Sequence, residues 1–337
     1  MNILVTGGAG YIGSHTILEL IKAGHTPISV DNYSNSSPEV MNRLNQISGQ
    51  KIPHYDCDAT DKQALSKVFA KHNIDAVIHF AALKAVGNSV ESPLDYYFNN
   101  LTSLINLLDI TNKTNVNKII FSSSATVYGL PKTMPINESA PANHATNPYG
   151  WTKIMAEQIL QDYSTANHQA EVTLLRYFNP VGAHPSGLIG EDPKDVPSNL
   201  MPYIAQVASG RLKQLAVHGG DYNTPDGSGV RDYIHVIDLA QGHVAALNKS
   251  APGVNVYNLG TGKGVSVLEA IKAFEKASGQ KIPYKISSRR AGDVATCYAD
   301  PSKAERELNW KATKSFEDAC TDIWNWQSKN PSGYNKS

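Results

Sequence analysis

Tyr149 and Lys153 are the residues of this sequence whose types and spacing best fit a chemical reaction. They lie four apart in a predicted helix, so both side chains share one face. Free tyrosine has a pKa near 10, and we expect the Lys153 cation and an oxidised nicotinamide to lower the pKa of Tyr149. Ser124, at the end of a predicted strand, can hydrogen-bond the same substrate hydroxyl. Together they predict removal of a hydroxyl proton while a hydride leaves the same carbon.

A glycine-rich segment near the amino terminus predicts the site of the nicotinamide cofactor. Gly7, Gly10 and Gly13 follow a predicted strand and open a predicted helix, where side chains would hold the backbone away from a pyrophosphate. The spacing is Gly-x-x-Gly-x-x-Gly, not the generic Gly-x-Gly-x-x-Gly, and a tight turn without a ligand is the alternative. Asp31 ends the second predicted strand, where a carboxylate accepts ribose hydroxyls and repels a 2′-phosphate, which favours NAD over NADP. Asp58 is a candidate for the adenine edge, with a plain turn as the alternative.

The elements that must position these residues alternate between short apolar runs and amphipathic segments. Strands are predicted over 3–5, 27–30, 52–55, 76–80, 118–121 and 172–177, with helices between them that include 93–112 and 150–163. This alternation is typical of an α/β fold with a Rossmann-type doubly wound parallel sheet. From residue 180 the chain becomes rich in Gly, Pro and Asp. We therefore predict an NAD-binding domain over 1–180 and a smaller, loop-rich α/β C-terminal substrate domain over 181–337, with 232–259 returning to the first.

Composition argues against several classes of function. Lys plus Arg and Asp plus Glu each number 30, so the net charge is zero and no surface for nucleic acid or an anionic membrane is indicated. The three cysteines, Cys57, Cys297 and Cys320, are too few and too widely spaced for a disulfide framework. No signal segment or membrane-spanning run is recognised, so we expect the cytoplasm. No histidine falls in a zinc-like spacing, and no metal is predicted.

Several motifs carry a resemblance to a known family. The glycine loop of residues 6–13, Phe80–Val86, Ser122–Gly129 and the Tyr149/Lys153 pair together resemble the extended short-chain dehydrogenase/reductases. Within that family the chain resembles the UDP-hexose 4-epimerases more closely. That likeness continues through Leu175–Ala183, Asn199–Pro202, Gly229–Val236 and Tyr257–Gly260. It covers nearly the whole chain and is more specific than any single motif.

The resemblance implies a function, a cofactor and two sets of residues. It implies a tightly bound NAD, reduced and reoxidised within one turnover, and epimerisation at C4 of UDP-galactose and UDP-glucose through a 4-keto sugar. The implied cofactor-binding residues are Gly7, Gly10, Tyr11, Ile12, Gly13, Asp31, Asn32, Asn35, Ser36, Asp58, Ala59, Phe80, Ala81, Ala82, Lys84, Asn99, Ser122, Tyr149, Lys153, Tyr177 and Phe178. The implied substrate-binding residues are Lys84, Ser124, Tyr149, Asn179, Asn199, Leu200, Ala216, His218, Arg231, Arg290, Asp293 and Cys297.

Two positions depart from the family pattern. The family often carries Tyr where Cys297 stands beside the sugar, and a small residue there goes with acceptance of N-acetyl sugars. We therefore predict turnover of UDP-N-acetylglucosamine and UDP-N-acetylgalactosamine as well, the alternative being that Cys297 only fills a gap in the core. His218 stands where the family often has Phe near the uracil, a change expected to weaken nucleotide packing slightly.

Three other functions can be compared with the residues that each would need. A 4,6-dehydratase needs an Asp-Glu pair where this chain has Ala125 and Thr126, which cannot supply that acid and base. A UDP-glucuronate epimerase or decarboxylase would need a cation aimed at a C6 carboxylate, and we locate none. A non-catalytic NAD-binding sensor would not need the base and its lysine.

The family is usually dimeric, so a homodimer is predicted. The predicted helix over 93–112 carries Leu101, Leu104, Ile105 and Leu108. This stripe can pair with a second subunit, and the sequence equally allows it to lie in the protein's own core.

Overall fold

The first half of the chain alternates strands and helices, as its apolar pattern predicts. The structure is a computed structural model that describes residues 1–194, 197, 199–290 and 293–334. Its elements up to residue 177 are β1 (Asn2–Thr6), α1 (Tyr11–Lys22), β2 (Thr26–Asp31), α2 (Glu39–Ser48), β3 (His54–Asp56), α3 (Lys62–Lys71), β4 (Ala76–His79), α4 (Val86–Glu91), α5 (Pro93–Lys113), β5 (Lys118–Ser122), a 3₁₀ turn (Ala125–Tyr128), α6 (Pro148–Ala166) and β6 (Glu171–Tyr177). The predicted strands are confirmed, although the third begins two residues later than predicted.

The second half is built from shorter elements. They are β7 (Asn179–Val181), α7 (Leu200–Ala208), β8 (Leu215–His218), β9 (Val230–Arg231), β10 (Tyr233–His235), α8 (Val236–Asn248), β11 (Gly253–Leu259), β12 (Val265–Ser266), α9 (Val267–Ser278), β13 (Tyr284–Ser287), β14 (Thr296–Cys297), α10 (Ser302–Leu308) and α11 (Phe316–Lys329). Small sheets pair β10 with β7, β13 with β8, and β9 with both β12 and β14. Ser266 and Ser315 begin α9 and α11 with capping boxes, which satisfy amide groups at each helix start.

The main sheet is parallel and draws strands from both halves. In the described part of the chain its order is β11-β6-β5-β4-β1-β2-β3. The winding direction reverses between β4 and β1, and in such sheets ligands bind at the carboxyl ends of the strands beside that point. Helices cover both faces, which explains why Ile3, Leu4 and Val5 are all fully buried. The predicted fold class is thereby confirmed.

The chain leaves the main sheet and returns to it through α8 and β11. β11 pairs with β6 along its whole length, from Gly253 opposite Glu171 to Leu259 opposite Tyr177. A separate core holds α7, α9 and α11 together through residues that include Met201, Ile204, Ile271, Phe274 and Ile323. We therefore propose that 232–259 return to the first domain (1–180), and that the rest of 181–337 forms the second.

Candidate active site

The loop between β1 and α1 forms a backbone cradle at the carboxyl edge of the sheet. Gly7 adopts φ of +71°, and a Cβ there would lie 2.9 Å from the amide nitrogen of Ala81. A Cβ at Gly13 would lie 2.2 Å from the carbonyl oxygen of Gly7. α1 begins after Gly10 without a side-chain cap, so the amide groups at its positive end remain available to an anion. This cradle fits a dinucleotide pyrophosphate.

Asp31 fastens the end of β2 to this cradle. Its Oδ2 accepts a hydrogen bond from the amide of Ala9 at 3.0 Å, and its Oδ1 accepts from the amide of Tyr33 at 2.9 Å and the hydroxyl of Ser36 at 2.7 Å. A carboxylate offers about four lone pairs, so Asp31 holds the turn and keeps capacity for a ribose hydroxyl. Asp31 can therefore both stabilise this turn and bind a ribose hydroxyl.

The other predicted cofactor residues lie after the carboxyl ends of neighbouring strands. Asn32 and Asn35 follow β2, Asp58 and Ala59 follow β3, Phe80, Ala81, Ala82 and Lys84 follow β4, Ser122 ends β5, Tyr177 ends β6 with Phe178 next, and Asn99 lies on α5. Asn32 Nδ2 donates to Asp58 Oδ2 at 2.9 Å, which joins the segment after β2 to the segment after β3. Parallel strands place these segments along one edge.

Tyr149 stands in the first turn of α6, where the Asn147 side chain caps the helix by accepting from the amide of Gly150 at 2.9 Å. Ser124 hydrogen-bonds the Tyr149 hydroxyl. Burial of that hydroxyl raises the pKa of Tyr149 to about 12, the Ser124 bond lowers it, and Tyr96 raises it. The protein alone therefore holds a neutral phenol hydrogen-bonded to the predicted serine.

Lys153 is buried one turn further along α6, with 4% exposure. Its Nζ donates to the carbonyl oxygen of Ser122 at 2.6 Å and lies 5.8 Å from the centre of the Tyr149 ring. Burial lowers the pKa of Lys153 to about 7, and Glu157 raises it. The expectation that Lys153 and an oxidised nicotinamide together lower the pKa of Tyr149 concerns the enzyme with its cofactor bound. In the protein alone, burial raises the pKa of Tyr149 and the Lys153 ammonium donates to a backbone carbonyl.

The predicted substrate residues of the second half lie on short strands and loops. Arg231 on β9 donates from Nη2 to Asp293 Oδ1 at 3.4 Å. Cys297 on β14 is the register partner of Arg231 and packs in a cluster that includes Phe178 and Ala125. The remaining residues of this set are Asn179 on β7, Asn199 before α7, Leu200 at its start, Ala216 and His218 on β8, and the exposed Arg290.

Glu191 joins two predicted ligand residues and was not recognised from the sequence. Its Oε1 accepts from Lys84 Nζ at 3.0 Å and from Asn199 Nδ2 at 3.2 Å. The two donors come from different halves of the chain, so this carboxylate links the two halves at these predicted ligand residues. Its position in a Gly-Glu-Asp-Pro loop carries no spacing signal that marks it in advance.

Asn100 was also missed. It is 6% exposed on α5 and holds the loop after β4 by accepting from the amide of Leu83 at 2.8 Å. Its Nδ2 donates to Thr152 Oγ1 on α6 at 3.0 Å. An asparagine on the apolar face of a helix is a signal that could have identified it.

Comparison with known proteins places the chain in a family. The family model described as GDP-mannose 4,6 dehydratase matches residues 4–323. A UDP-glucose 4-epimerase of Bacillus subtilis is 59% identical over 336 residues, which cover 99% of each chain. One from Dictyostelium discoideum is 56% identical, over 99% of this chain and 98% of its own. The chain belongs to the UDP-glucose 4-epimerases of the GDP-mannose 4,6-dehydratase family.

A solved structure of a UDP-glucose 4-epimerase agrees with this assignment. The enzyme of Bifidobacterium longum, crystallised with NAD+ and UDP, superposes with a TM-score of 0.96 at 58% identity. The match covers 99% of this chain and 100% of that one. The likeness to extended short-chain dehydrogenase/reductases predicted from the motifs is confirmed.

The segment directly after Ser124 carries no carboxylate at its first two positions, because Ala125 and Thr126 begin the 3₁₀ turn there. Within the described residues, no group of three His, Cys, Asp or Glu side chains could hold a metal ion, and no helix is long and apolar enough to span a bilayer.

Proposed function

We propose that this protein is an NAD-dependent UDP-hexose 4-epimerase, an isomerase that interconverts UDP-galactose and UDP-glucose through a transient 4-keto sugar. The observation that carries the proposal is the hydrogen-bonded Ser124 and Tyr149, with Lys153 one turn away, at the sheet edge that also bears the glycine cradle. A base next to a nicotinamide site, in a member of this family, suits reversible oxidation of one sugar hydroxyl.

Each catalytic side chain has a separate task in the proposal. Tyr149 takes the proton from the 4-hydroxyl and later returns it to the 4-oxygen. Ser124 hydrogen-bonds that oxygen and aligns it with the phenol. Lys153 places a buried positive charge beside the phenol, which favours its ionised form. NAD, held by the glycine cradle and Asp31, supplies the acceptor and donor of hydride when bound.

The second half is proposed to hold the UDP part of the substrate. Arginine suits a diphosphate because its fork of N–H donors matches the oxygen geometry. Arg231 and Arg290 are assigned to this role, Asp293 to the ribose, and His218 to the uracil. Asn179, Asn199, Leu200, Ala216 and Lys84 complete the proposed set.

The size of the Cys297 side chain is proposed to admit N-acetyl sugars. Cys297 packs against the cluster that contains Phe178 and Ala125, so it borders the segment that follows Ser124. A thiol in place of a tyrosine ring leaves the volume that an acetamido group needs. Partial burial in that cluster also fits the plainer role of filling a core gap, and turnover of UDP-N-acetylglucosamine by the purified protein distinguishes the two roles.

The proposed reaction is tested by incubating the purified protein with UDP-galactose and no added cofactor. Bound NAD that is regenerated in each turnover should give UDP-glucose without net NADH. A dehydrogenase would instead consume added NAD and accumulate NADH. A non-catalytic NAD-binding protein would leave UDP-galactose unchanged.

We further propose a homodimer formed through α5. Leu94, Phe98 and Ile105 expose 79%, 66% and 52% of their surfaces on this helix. A large exposed apolar face of this kind typically marks a protein interface. Leu104 and Leu108, expected in the same stripe, are buried in the protein's own core. Phe98→Glu should convert the dimer into a monomer by light scattering, and an unchanged mass would contradict this assignment.

A cytoplasmic location is proposed from the cysteines. All three are free, and Cys57 and Cys320 are buried apart from one another. Free thiols are typical of a reducing compartment.

A further inference from the structure

A buried ion pair behind the catalytic helix has no part in the reaction as described so far. Glu157 lies on α6 four residues after Lys153, and Arg176 lies on β6. The guanidinium donates from Nε to Oε1 at 2.9 Å and from Nη2 to Oε2 at 2.5 Å, and the side chains expose only 8% and 10% of their surfaces. Apolar residues often replace such pairs without loss of stability. A contribution to folding stability is therefore a weak explanation for the presence of the Glu157–Arg176 pair.

The carboxylate also holds the strand end that carries Ser124. Ser123 Oγ donates to Glu157 Oε1 at 2.5 Å, while its backbone amide donates to the carbonyl oxygen of Leu175 at 2.9 Å. Ser123 is fully buried. Because Ser124 is the next residue, this bond fixes its position relative to α6 and hence to Tyr149.

The Arg176 guanidinium also extends this hydrogen-bond network beyond Glu157. Arg176 Nη1 donates to the hydroxyl of Tyr128 at 3.1 Å, and that hydroxyl donates to Asn258 Oδ1 at 2.7 Å. Tyr128 ends the 3₁₀ turn that starts directly after Ser124. The pair therefore links α6, β6, β11 and the turn on both sides of the catalytic serine.

Glu157 is also the negative charge that acts on the buried ammonium of Lys153. The other titratable groups that face this region are Tyr149 on α6, Tyr96 on α5, His79 on β4, Tyr177 and Arg176 on β6, and Tyr128 in the 3₁₀ turn. His79 is neutral at physiological pH because burial lowers its pKa to about 3. Burial raises the pKa of both Tyr149 and Tyr177, so these phenols are neutral as well.

We propose that Glu157 is a positioning residue of the epimerisation. Held by Arg176, it fixes Ser124 against Tyr149 through Ser123 and places a carboxylate one helical turn from Lys153. The inference rests on the proposed function, because it assigns a role within that reaction.

The test compares Glu157→Gln and Ser123→Ala with Glu171→Gln. Glu171 is a matched control on the opposite end of β6, where it bonds Lys118 and Ser250. For each protein, kcat and KM for UDP-galactose are measured across pH. The titration of Lys153 is followed by NMR with ¹³Cε-labelled lysine, its resonance assigned by its loss in Lys153→Arg.

Glu157→Gln is expected to lower kcat about tenfold with KM unchanged. It should also move the Lys153 titration and the alkaline limb of kcat about one pH unit lower. Ser123→Ala keeps the charge, so kcat should fall without a shift of either curve. Glu171→Gln should match the wild-type protein.

A Lys153 titration in Glu157→Gln that coincides with the wild-type curve would overturn the inference, as would a kcat unchanged in both site variants. If Glu157→Gln does not fold, the neutral pair Glu157→Gln/Arg176→Gln replaces it, since it leaves no unpaired buried charge. In this double variant the loss of the Arg176 cation opposes the loss of the carboxylate in the Lys153 titration, so kcat decides. A lower kcat with KM unchanged supports the inference, and an unchanged kcat overturns it. A wild-type protein without epimerase activity would instead refute the proposed function, and the NMR titration still distinguishes that outcome.

Discussion

The base region and the proposed nucleotide region of the site differ in how completely the protein builds them. Around the base, Lys153 is 4% exposed and bonded to a backbone carbonyl, and the ion pair behind it is buried. In the nucleotide region, the Arg231 and Asp293 side chains expose 20% and 38% and meet at 3.4 Å. One region is buried and hydrogen-bonded within the protein, and the other consists of partly exposed side chains that can exchange a protein partner for a ligand.

This difference follows from what each region has to do. Proton transfer depends on distances of a fraction of an ångström and on a controlled charge, so its groups are locked by packing. Binding of a diphosphate draws on long, charged side chains whose partners in the free protein are carboxylates such as Asp293 and Glu191. Substitutions in the first region should therefore act on kcat, and those in the second on KM.

Replacing the base should have the largest effect. Tyr149→Phe removes the proton acceptor and leaves the ring, so kcat should fall about 10³-fold while bound NAD is retained. Tyr163→Phe, near the other end of α6, is the matched control and should keep full activity. Epimerisation of UDP-galactose and the absorbance of released cofactor are the measurements. A Tyr149→Phe enzyme with wild-type kcat would remove Tyr149 from its role.

A change beside the sugar should alter selectivity. Cys297→Tyr adds a ring where an acetamido group is proposed to lie, so kcat/KM for UDP-N-acetylglucosamine should fall about thirtyfold, with that for UDP-galactose nearly unchanged. Cys297→Ala is the control and should keep both substrates. If the wild-type enzyme turns over UDP-galactose alone, Cys297 fills a core gap instead.

The buried lysine makes stability depend on pH. The folded-state pKa of Lys153 is lowered to about 7 from 10.5, so between these values the unfolded chain binds the extra proton. Stability contributed by this position is therefore lower below the folded pKa and increases as pH rises. From pH 7 to pH 9 the wild-type protein should gain about 2 kcal/mol relative to Lys153→Met in urea unfolding. Equal pH slopes for the two proteins would contradict the burial of a titrating amine.

The smallest effect is expected in the nucleotide region. Arg231→Gln should raise KM for UDP-galactose about tenfold with little change in kcat, because one charge-assisted contact to the diphosphate is lost. Steady-state kinetics of the variant and of Arg289→Gln, whose side chain pairs with the exposed Asp221, provide the comparison. A fall in kcat without a change in KM would place Arg231 in the base region instead.

The patterns that mark the base region in the sequence are local ones. Glycine spacing, strand periodicity and the four-residue spacing of Tyr149 and Lys153 are local patterns, and local patterns can be detected along the chain. Glu191 contacts Lys84, which lies 107 positions earlier in the sequence. Arg176 contacts Glu157, which lies 19 positions earlier. Such contacts depend on how the topology brings distant segments together, and no local pattern marks them.

The direction of the pKa shift of Tyr149 likewise cannot be predicted from local sequence patterns. Spacing placed a lysine beside the tyrosine, but the direction of the shift depends on burial and on where the ammonium bonds. In the structure Lys153 Nζ donates to Ser122, and burial raises the pKa of Tyr149. Neither fact can be read from the spacing of four residues.

The most direct test of the central claim is the fate of the hydrogen at C4. UDP-galactose carrying deuterium at C4 is converted in ordinary water with no added NAD, and the product is analysed by NMR and mass spectrometry. If one hydride leaves C4 and returns to the same carbon within a turnover, UDP-glucose should retain the deuterium at C4. Loss of the label to solvent, or its transfer to C6 as in an elimination, would contradict the account.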